Sequence, residues 1–310
     1  MKYRKLGKTN LEVSTLSYGA SSLGSVFRNI DETEGIRTVH TAVDLGINLI
    51  DVSPYYGLMK AETVLGKAIK EISREKFILS TKAGRYGENE FDFSKNRIIN
   101  SLEESLKRLS TDYIDILLLH DIEFASFDQI MEEGIPALQQ LKEQGKIRFF
   151  GVSGLPLSIF EKVLKQKSLD VILSYCHYSL NDSSLLNILP LLEQKQVGLI
   201  NASPLSMGLL SQRSVPEWHP ASRDIIETCK RAADYCKQQG EELSKLAIQY
   251  SVANGKIPTT LVSTANVENI KKNITWANEP IDLELLQEVL TILEPIHNKT
   301  WPSGSSEYQR

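Results

Sequence analysis

The sequence predicts a single α/β domain folded as a (β/α)8 TIM barrel, and three observations favour this fold. Eight short apolar runs alternate with longer amphipathic segments, as strands alternate with helices in parallel sheets. Most of the runs are nearly continuously apolar, which is typical of strands buried on both faces. The length of 310 residues suits one such barrel with additional segments. No linker divides the chain, so residues 1–310 form one predicted domain.

The apolar runs are interpreted as barrel strands and the segments between them as the surrounding helices. The predicted strands are 16–19, 47–53, 77–82, 113–120, 147–153, 171–176, 197–203 and 260–264. The predicted helices are 31–45, 61–72, 98–109, 127–144, 158–165, 185–195 and 223–239. Asp31 with Glu34 predicts a capped helix start. Gly46, Gly145 and Gly240 suit left-handed C-terminal caps.

Further segments are additions to the barrel. Residues 3–6 and 11–14 flank a GKTN turn and predict an N-terminal β-hairpin at the bottom of the barrel. Residues 242–253 and 283–296 predict extra C-terminal helices. The long segment 205–222 contains proline and tryptophan and is interpreted as a functional loop.

Composition and charge disfavour several classes of protein. A net charge of −4 lacks the basic footprint of a nucleic-acid binder. Three cysteines without a CxxC spacing disfavour a disulfide framework or a zinc site and favour a reducing, cytoplasmic setting. Residues 1–10 are polar and show no signal peptide. No apolar run approaches the roughly 18 residues of a transmembrane helix, so no membrane partner is expected.

Candidate catalytic side chains lie at the ends of the predicted strands. Asp51 ends the second strand and precedes Tyr56; Lys82 ends the third strand, and His120 ends the fourth. Active sites of such barrels form at the carboxyl ends of strands, so these side chains are expected to meet at one mouth. A lysine ammonium favours the phenolate of a neighbouring tyrosine. The set predicts proton transfer coupled to hydride transfer at a carbon that carries a hydroxyl or carbonyl group.

Each of the four side chains also has a structural interpretation when it is considered alone. Considered alone, Asp51 could cap a helix and Lys82 could bind a phosphate. His120 could be a hydrogen-bonded core residue, and Tyr56 could be an aromatic residue at the rim of the barrel. Their joint occurrence at successive strand ends favours catalysis. A Schiff-base enzyme is disfavoured because a lysine paired with an aspartate stays protonated. A metal-dependent hydrolase is disfavoured because no HxH pair ends a strand, so no metal is expected.

The same residues resemble the catalytic tetrad of the aldo-keto reductases. The matching segments are Asp51 with Tyr56, Lys82 in FILSTK, His120 in IDILLLH, and the stretches LGKTNLEVSTLSYGA, GKIRFFGVS and SPLSMGLL. The resemblance covers essentially the whole chain and implies a nicotinamide-dependent oxidoreductase. It implies that Tyr56 is the general acid/base and that Lys82 tunes it. By the same resemblance, Asp51 pairs with Lys82 and His120 positions the substrate oxygen.

Less common segments narrow the implied activity. SPYYG, LLHDIEF and DVILSYCHYSLND resemble members of the family that oxidise an aldose at C1 to its lactone with NAD. The resemblance therefore implies oxidation of L-galactose or a related sugar. Two alternatives stay open: an NADPH-dependent aldehyde or ketone reductase of the same family, and a non-catalytic dinucleotide-binding regulatory subunit.

The resemblance also implies a set of residues that bind the cofactor. They are Gly19, Ser153, Tyr175, Ser203, Pro204, Leu205, Met207, Gly208, Leu209, Ser263, Asn269 and Asn273. Segment 203–209 is expected to cover the pyrophosphate with backbone N–H groups, and Asn273 to contact the adenine. Gly154, Tyr175 and Ala202 stand where the family often has an asparagine, a glutamine and a stacking aromatic.

NAD is the expected cofactor, and NADP is less favoured. In NADP-preferring members of the family, a basic residue occupies the position of Ser263 and an arginine that of Asn269. Without these cations, a 2′-phosphate loses charge-assisted hydrogen bonds. Lys271 and Lys272 are nearby cations that keep NADP as an alternative.

A small sugar is the expected partner, and the pattern indicates no particular oligomeric state. The candidate substrate contacts share a position in predicted mouth loops. They are Phe27, Tyr55, Asp121, Phe124 and Trp301. Sugars favour aromatic faces combined with polar groups that bind hydroxyls, which is the chemistry of this set.

Overall fold

The computed structural model describes residues 1–26 and 28–306, and its centre is a closed barrel of eight parallel strands. The strands are, in chain order, β1 Tyr3–Lys5, β2 Glu12–Ser14, β3 Leu16–Gly19, β4 Leu49–Asp51, β5 Ile78–Ala83, β6 Ile114–Leu119, β7 Ile147–Gly154, β8 Val171–Tyr175, β9 Gly198–Ala202 and β10 Thr259–Ser263. Strands β3 to β10 pair in chain order, and β10 closes the barrel on β3. The predicted (β/α)8 TIM barrel is confirmed.

Strands β1 and β2 form the predicted N-terminal hairpin, which covers one end of the barrel. Leu6 and Val13 are fully buried there among apolar side chains of the barrel interior. The chain reverses through a 3-10 turn, Gly7–Thr9. Gly7 has a φ of 53°, and a Cβ at this position would lie 2.3 Å from the backbone nitrogen of Gly198. Only glycine fits where the turn meets β9, and the open mouth of the barrel is at the opposite end.

Helices surround the barrel. They are α1 Glu32–Asp44, α2 Lys60–Ile69, α3 Lys95–Leu109, α4 Phe127–Gln129, α5 Ile135–Glu143, α6 Leu157–Gln166, α7 Leu189–Lys195, α8 Arg223–Gln238, α9 Leu243–Ala253, α10 Val267–Asn278 and α11 Leu283–Leu293. The Asp31 carboxylate caps α1, as predicted, by accepting the backbone N–H groups of Thr33 and Glu34 at 2.8 and 3.4 Å. The caps and amphipathic faces seen in the sequence therefore set the outer layer.

The structure corrects two predicted helices. The single helix predicted over 127–144 is divided into α4, a π-helical turn Ile130–Gly134, and α5. Pro136 explains the division, because proline has no N–H to donate to the preceding turn. The helix predicted over 185–195 begins as a 3-10 turn, Ser184–Ile188, and becomes α-helical at Leu189, next to Pro190.

The extra C-terminal helices pack together beside the barrel. Side chains of α8, α9 and α11 form a second apolar cluster, which includes Cys229, Leu246 and Val289. Leu209 and Leu210 of the loop after β9 also belong to this cluster, so the additional helices anchor one end of that loop. Among the described residues, no helix combines the length and the apolar character needed to cross a membrane.

Candidate active site

The open mouth of the barrel forms a cavity of about 800 Å³. All four predicted catalytic side chains line this cavity: Asp51, Tyr56, Lys82 and His120. They come from the carboxyl ends of β4, β5 and β6, which are neighbours in the barrel, and from the turn after β4. Successive parallel strands thus place residues from distant parts of the chain at one site.

A buried ion pair between Asp51 and Lys82 holds the tyrosine. The Lys82 ammonium is hydrogen-bonded to Asp51 Oδ1, and both side chains are at most 3% exposed. The ammonium also donates to Val52 O at 3.0 Å and to Tyr56 Oη at 3.3 Å. Ser80 Oγ donates to Asp51 Oδ2 at 2.8 Å. Because both acid oxygens have donors, the cation is fixed against the phenol.

Burial determines the protonation states of this group. Burial raises the pKa of the Tyr56 phenol above its ordinary value, and the Lys82 ammonium only partly opposes that shift. Burial lowers the pKa of Lys82, but the Asp51 carboxylate and Tyr56 outweigh it, so the lysine pKa is raised and its charge retained. The expectation that lysine favours the phenolate holds for the pair interaction, but desolvation of the buried phenol outweighs it.

His120 is oriented by a serine. Its Nδ1 lies 2.9 Å from Ser53 Oγ, and the same oxygen accepts the backbone N–H of Tyr55 at 3.2 Å. Within the described residues, Nδ1 is the one acceptor within reach of the buried Ser53 proton. Donation from Ser53 to Nδ1 leaves no buried proton of this pair unpaired, and this arrangement favours the imidazole proton on Nε2. Burial, assisted by the Lys82 and Arg85 cations, lowers the pKa of His120 well below its ordinary value. The site thus holds a neutral imidazole whose Nε2–H is a hydrogen-bond donor.

Ten of the residues predicted to bind the cofactor line the same cavity. They are Gly19, Ser153, Tyr175, Ser203, Pro204, Leu205, Met207, Gly208, Ser263 and Asn273. In the loop after β9, left-handed backbone occurs at Ser203, Ser206, Met207 and Gly208, with φ values of 57°, 46°, 55° and 108°. Backbone strain of this kind is concentrated at ligand sites, so this loop is the best candidate for close contact with a bound molecule.

The neighbouring rim of the cavity carries neutral hydroxyl groups. Ser263, at the end of β10, accepts hydrogen bonds from Ser21 Oγ at 2.9 Å and from the backbone N–H of Ser22 at 3.0 Å. These contacts bridge the last barrel strand to the turn after the first. Positions 263 and 269 therefore carry neutral side chains, a serine and an asparagine.

Four predicted site residues do not line the cavity. Leu209 is buried in the apolar cluster beside the barrel, and Asn269 is in the first turn of α10, where its backbone N–H donates to Asn266 Oδ1 at 2.9 Å. Trp301 packs edge-on against His219, with ring centroids 5.0 Å apart, in the apolar cluster of the C-terminal helices. Phe124 stacks on Phe91 outside the cavity lining. Phe27 lies outside the described residues.

Sequence reasoning missed three arginines and a tryptophan. Arg28, Arg85, Arg213 and Trp218 all line the cavity. Arg85 follows Lys82 by three residues and lies just after β5. Its sequence position therefore already indicated a place in a loop at the mouth of the barrel. Arg28, Arg213 and Trp218 come from irregular loops, where no periodic pattern indicates which way a side chain points.

The cavity has the donor set that a nicotinamide dinucleotide requires. Hydroxyl groups of Ser21, Ser22 and Thr264 suit ribose oxygens, and the exposed cations Arg28 and Arg213 suit a diphosphate. The strained loop over 203–208 adds backbone N–H groups. Among the described residues there is no group of three or more His, Cys, Asp or Glu side chains that could hold a metal ion.

The fold and this site together define the protein as an oxidoreductase of the aldo/keto reductase family. The model of that family matches residues 15–294, so the chain belongs to it. Members of the family bind a nicotinamide dinucleotide, which agrees with the cavity. The expected family membership and enzyme class are confirmed.

Within this family, the chain is similar to several individual proteins. The chain is 50% identical to L-galactose dehydrogenase of Arabidopsis thaliana, over 98% of each protein. It is 33% identical to D-arabinose 1-dehydrogenase of Saccharomyces cerevisiae, over 94% of each. Among solved structures, the holo form of an aldo-keto reductase from Bacillus halodurans is 28% identical and superposes over the full length of both chains, with a TM-score of 0.81.

Proposed function

We propose that this protein oxidises an aldose, L-galactose or a related sugar, at C1 to the lactone with NAD as the hydride acceptor. The observation that carries the proposal is the buried Asp51–Lys82 pair, with its ammonium 3.3 Å from Tyr56 Oη. The 50% identity to a plant L-galactose dehydrogenase supports the choice of an aldose.

The four side chains divide the proton chemistry among them. The Nε2–H of His120 donates to the C1 oxygen and holds it near Tyr56. In its deprotonated form, Tyr56 Oη accepts the hydroxyl proton as the C1–O bond becomes a carbonyl, and the Lys82 ammonium stabilises the phenolate that precedes this transfer. When bound, NAD supplies the carbon that receives the hydride from C1. Because the ring form of the sugar loses both hydrogens, the product is a lactone.

The charges near the adenosine side of the cavity support NAD over NADP. Ser263 is neutral and already bonded to Ser21 and Ser22. The two nearby lysines are paired with acids: Lys271 lies 2.9 Å from Glu268, and Lys272 forms an ion pair with Glu242. A 2′-phosphate would have to displace those acids, while a 2′-hydroxyl needs only neutral partners.

The direct test is turnover of purified protein with either nicotinamide and a panel of aldoses led by L-galactose. Formation of reduced nicotinamide with NAD, together with detection of the lactone, is the expected result. Turnover of another aldose alone would retain the mechanism and change the substrate. Absence of oxidation with every aldose and both cofactors would reject the proposal; tight dinucleotide binding in that case would indicate a regulatory subunit.

A second candidate is reduction of an aldehyde or ketone with NADPH by the same residues. The raised pKa of Tyr56 favours it, because a protonated phenol is the form that donates to a carbonyl oxygen. The same panel distinguishes it, since carbonyl substrates with reduced nicotinamide would then give the larger kcat/KM.

A further inference from the structure

A second ion pair, between Arg85 and Asp121, lies in the cavity beside the four catalytic candidates. Arg85 Nη1 donates to Asp121 Oδ2 at 2.5 Å, and both residues line the cavity with Tyr56 and His120. Asp121 directly follows His120, and its Oδ2 lies 3.6 Å from His120 Nε2. The pair therefore touches the group that holds the reacting oxygen, but it is not needed to hold Lys82 or Tyr56.

Aromatic rings fix the position of the arginine. The guanidinium carbon of Arg85 lies 3.9 Å from the centre of the Tyr55 ring, and 5.2 and 5.3 Å from the rings of Phe91 and Phe124. Phe91 and Phe124 stack on each other with centroids 4.6 Å apart. The side chain of Arg85 is 15% exposed and that of Asp121 is 6% exposed. The planar cation is thus held on a rigid aromatic support.

This pair retains unused hydrogen-bonding capacity. Within residues 1–26 and 28–306, Arg85 makes one side-chain hydrogen bond, and its buried Nε has no acceptor. Asp121 Oδ1 accepts no hydrogen bond from these residues, and Oδ2 accepts only the one from Arg85. The remaining guanidinium N–H groups of Arg85 and the Oδ1 of Asp121 are therefore free to bind hydroxyl groups of a molecule in the cavity that both residues line.

Arg74 is a comparable arginine away from the cavity, and its Nε is also buried without an acceptor, so the unpaired Nε does not distinguish the two. It also pairs with a buried aspartate, Asp115, at 2.5 Å, and lies over two aromatic rings, those of Phe77 and Tyr113. Its guanidinium additionally donates to the carbonyl oxygens of Phe77 and Tyr113, at 2.9 and 3.4 Å. Arg74 is not among the residues that line the cavity. Arg85 lacks such backbone acceptors, and it lines the cavity.

We propose that Arg85 and Asp121 recognise hydroxyl groups of the substrate away from C1, with Arg85 donating to one hydroxyl oxygen and Asp121 accepting the proton of another. The proposal rests on the proposed aldose oxidation and extends it to substrate choice. A fixed donor and a fixed acceptor on adjacent groups match two neighbouring hydroxyls of a sugar ring. A simple carbonyl compound offers neither, so the pair selects polyhydroxylated substrates.

The test compares Arg85→Lys and Arg85→Met with the matched control Arg74→Lys. Each protein is assayed with the preferred aldose, with single-deoxy versions of it, and with a simple aldehyde in the reverse direction. Both Arg85 variants are expected to raise the KM for the aldose about tenfold or more, since a lost hydrogen bond to a substrate hydroxyl is costly, with a smaller change in kcat. In Arg85→Lys, which keeps a positive charge beside His120, turnover of the simple aldehyde should change less than about threefold.

The deoxy sugars locate the contact. In the wild type, removing the hydroxyl that meets Arg85 should raise the KM, and in Arg85→Lys the same removal should have little further effect. Arg74→Lys should leave all KM values near those of the wild type.

Equal KM values for the aldose in wild type and both Arg85 variants would overturn this inference while leaving the oxidation intact. An equal loss with the aldose and the simple aldehyde would also overturn it, because it would indicate a structural role. A wild-type protein that oxidises no aldose would instead reject the proposed function, and the inference with it.

Discussion

The imidazole Nδ1 of His120 lies 2.9 Å from the hydroxyl of Ser53, although the two residues are 67 positions apart in the chain. A Ser53 hydroxyl that donates to Nδ1 leaves the imidazole proton on Nε2, which is the nitrogen that we expect to donate to the substrate oxygen. Ser53 is not among the residues that line the cavity, so we expect it to act on the reaction through His120, as a positioning residue.

Ser53→Ala is expected to lower kcat/KM about tenfold or more, because the imidazole then loses the donor that places its proton on Nε2. Ser53→Thr keeps a hydroxyl and should restore most of the activity. Steady-state kinetics across pH would check this, with the alanine variant also showing an altered acidic limb. Wild-type kinetics in Ser53→Ala would contradict the role given to Ser53.

Tyr56→Phe is expected to lower kcat about 100-fold or more, because the proton of the substrate hydroxyl loses its acceptor. The dissociation constant for the dinucleotide, measured by fluorescence titration, should stay within about threefold of the wild-type value, because the ring remains. Tyr55→Phe is the matched control: the Tyr55 hydroxyl forms no hydrogen bond within the described residues, so its removal should lower turnover far less than removal of the Tyr56 hydroxyl. Comparable activity in Tyr56→Phe and Tyr55→Phe would refute the assignment.

The raised pKa of Tyr56 predicts different pH responses for the two directions of the reaction. Oxidation needs the deprotonated phenol, so its kcat/KM should rise with pH throughout the range below the ordinary tyrosine pKa of about 10. Reduction uses the protonated phenol and should not rise over that range. A kcat/KM for oxidation that decreases from neutral to alkaline pH would show that Tyr56 is not the base.

Glu123 predicts a pH dependence of stability. Its side chain is buried; burial and the neighbouring Asp121 raise its pKa to about 8. It accepts hydrogen bonds from Leu155 N at 3.0 Å and Ser303 Oγ at 2.9 Å. Since the folded state holds this proton more tightly than the unfolded state, the stabilisation is complete below the unfolded pKa of about 4.5. It is lost progressively as the pH rises towards about 8.

The corresponding experiment measures melting temperatures between acidic and mildly alkaline pH. Glu123→Gln retains an acceptor for Leu155 and Ser303 and carries no charge. Its melting temperature should therefore fall much less with rising pH than that of the wild type. The difference in stability at alkaline pH should amount to a few kcal/mol at most. Parallel curves for the two proteins would show that Glu123 is ionised in the folded state throughout.

Cofactor choice is predicted to depend on the charge at the end of β10 and the start of α10. Ser263→Arg combined with Asn269→Arg should improve kcat/KM with NADP about tenfold, because a 2′-phosphate gains charge-assisted partners. The neutral double change to threonine and glutamine is the control and should retain the preference for NAD. The measurement is kcat/KM with NAD and with NADP. An unchanged ratio of the two values in the arginine variant would indicate that the adenosine end of the dinucleotide binds elsewhere.

The sequence alone predicted the barrel and three strand-end residues of the site because both depend on local patterns. Continuous apolar runs report burial on both faces of a strand, and parallel strands place their carboxyl ends together whatever lies between them. Asp51, Lys82 and His120 could therefore be grouped before any contact was known. Helix boundaries were predicted less well where proline changed the hydrogen bonding, as at Pro136 and Pro190.

Contacts between side chains from different loops were decided only by the tertiary structure. Arg85 meets Asp121 across 36 positions of sequence, and a left-handed backbone at Asp121, with a φ of 52°, helps to set the direction of its carboxylate. Trp301 was expected at the substrate and instead packs against His219, in the apolar cluster of the C-terminal helices. The chain's local patterns determine which elements form; which side chains meet, and which are desolvated, depends on packing that brings distant segments together.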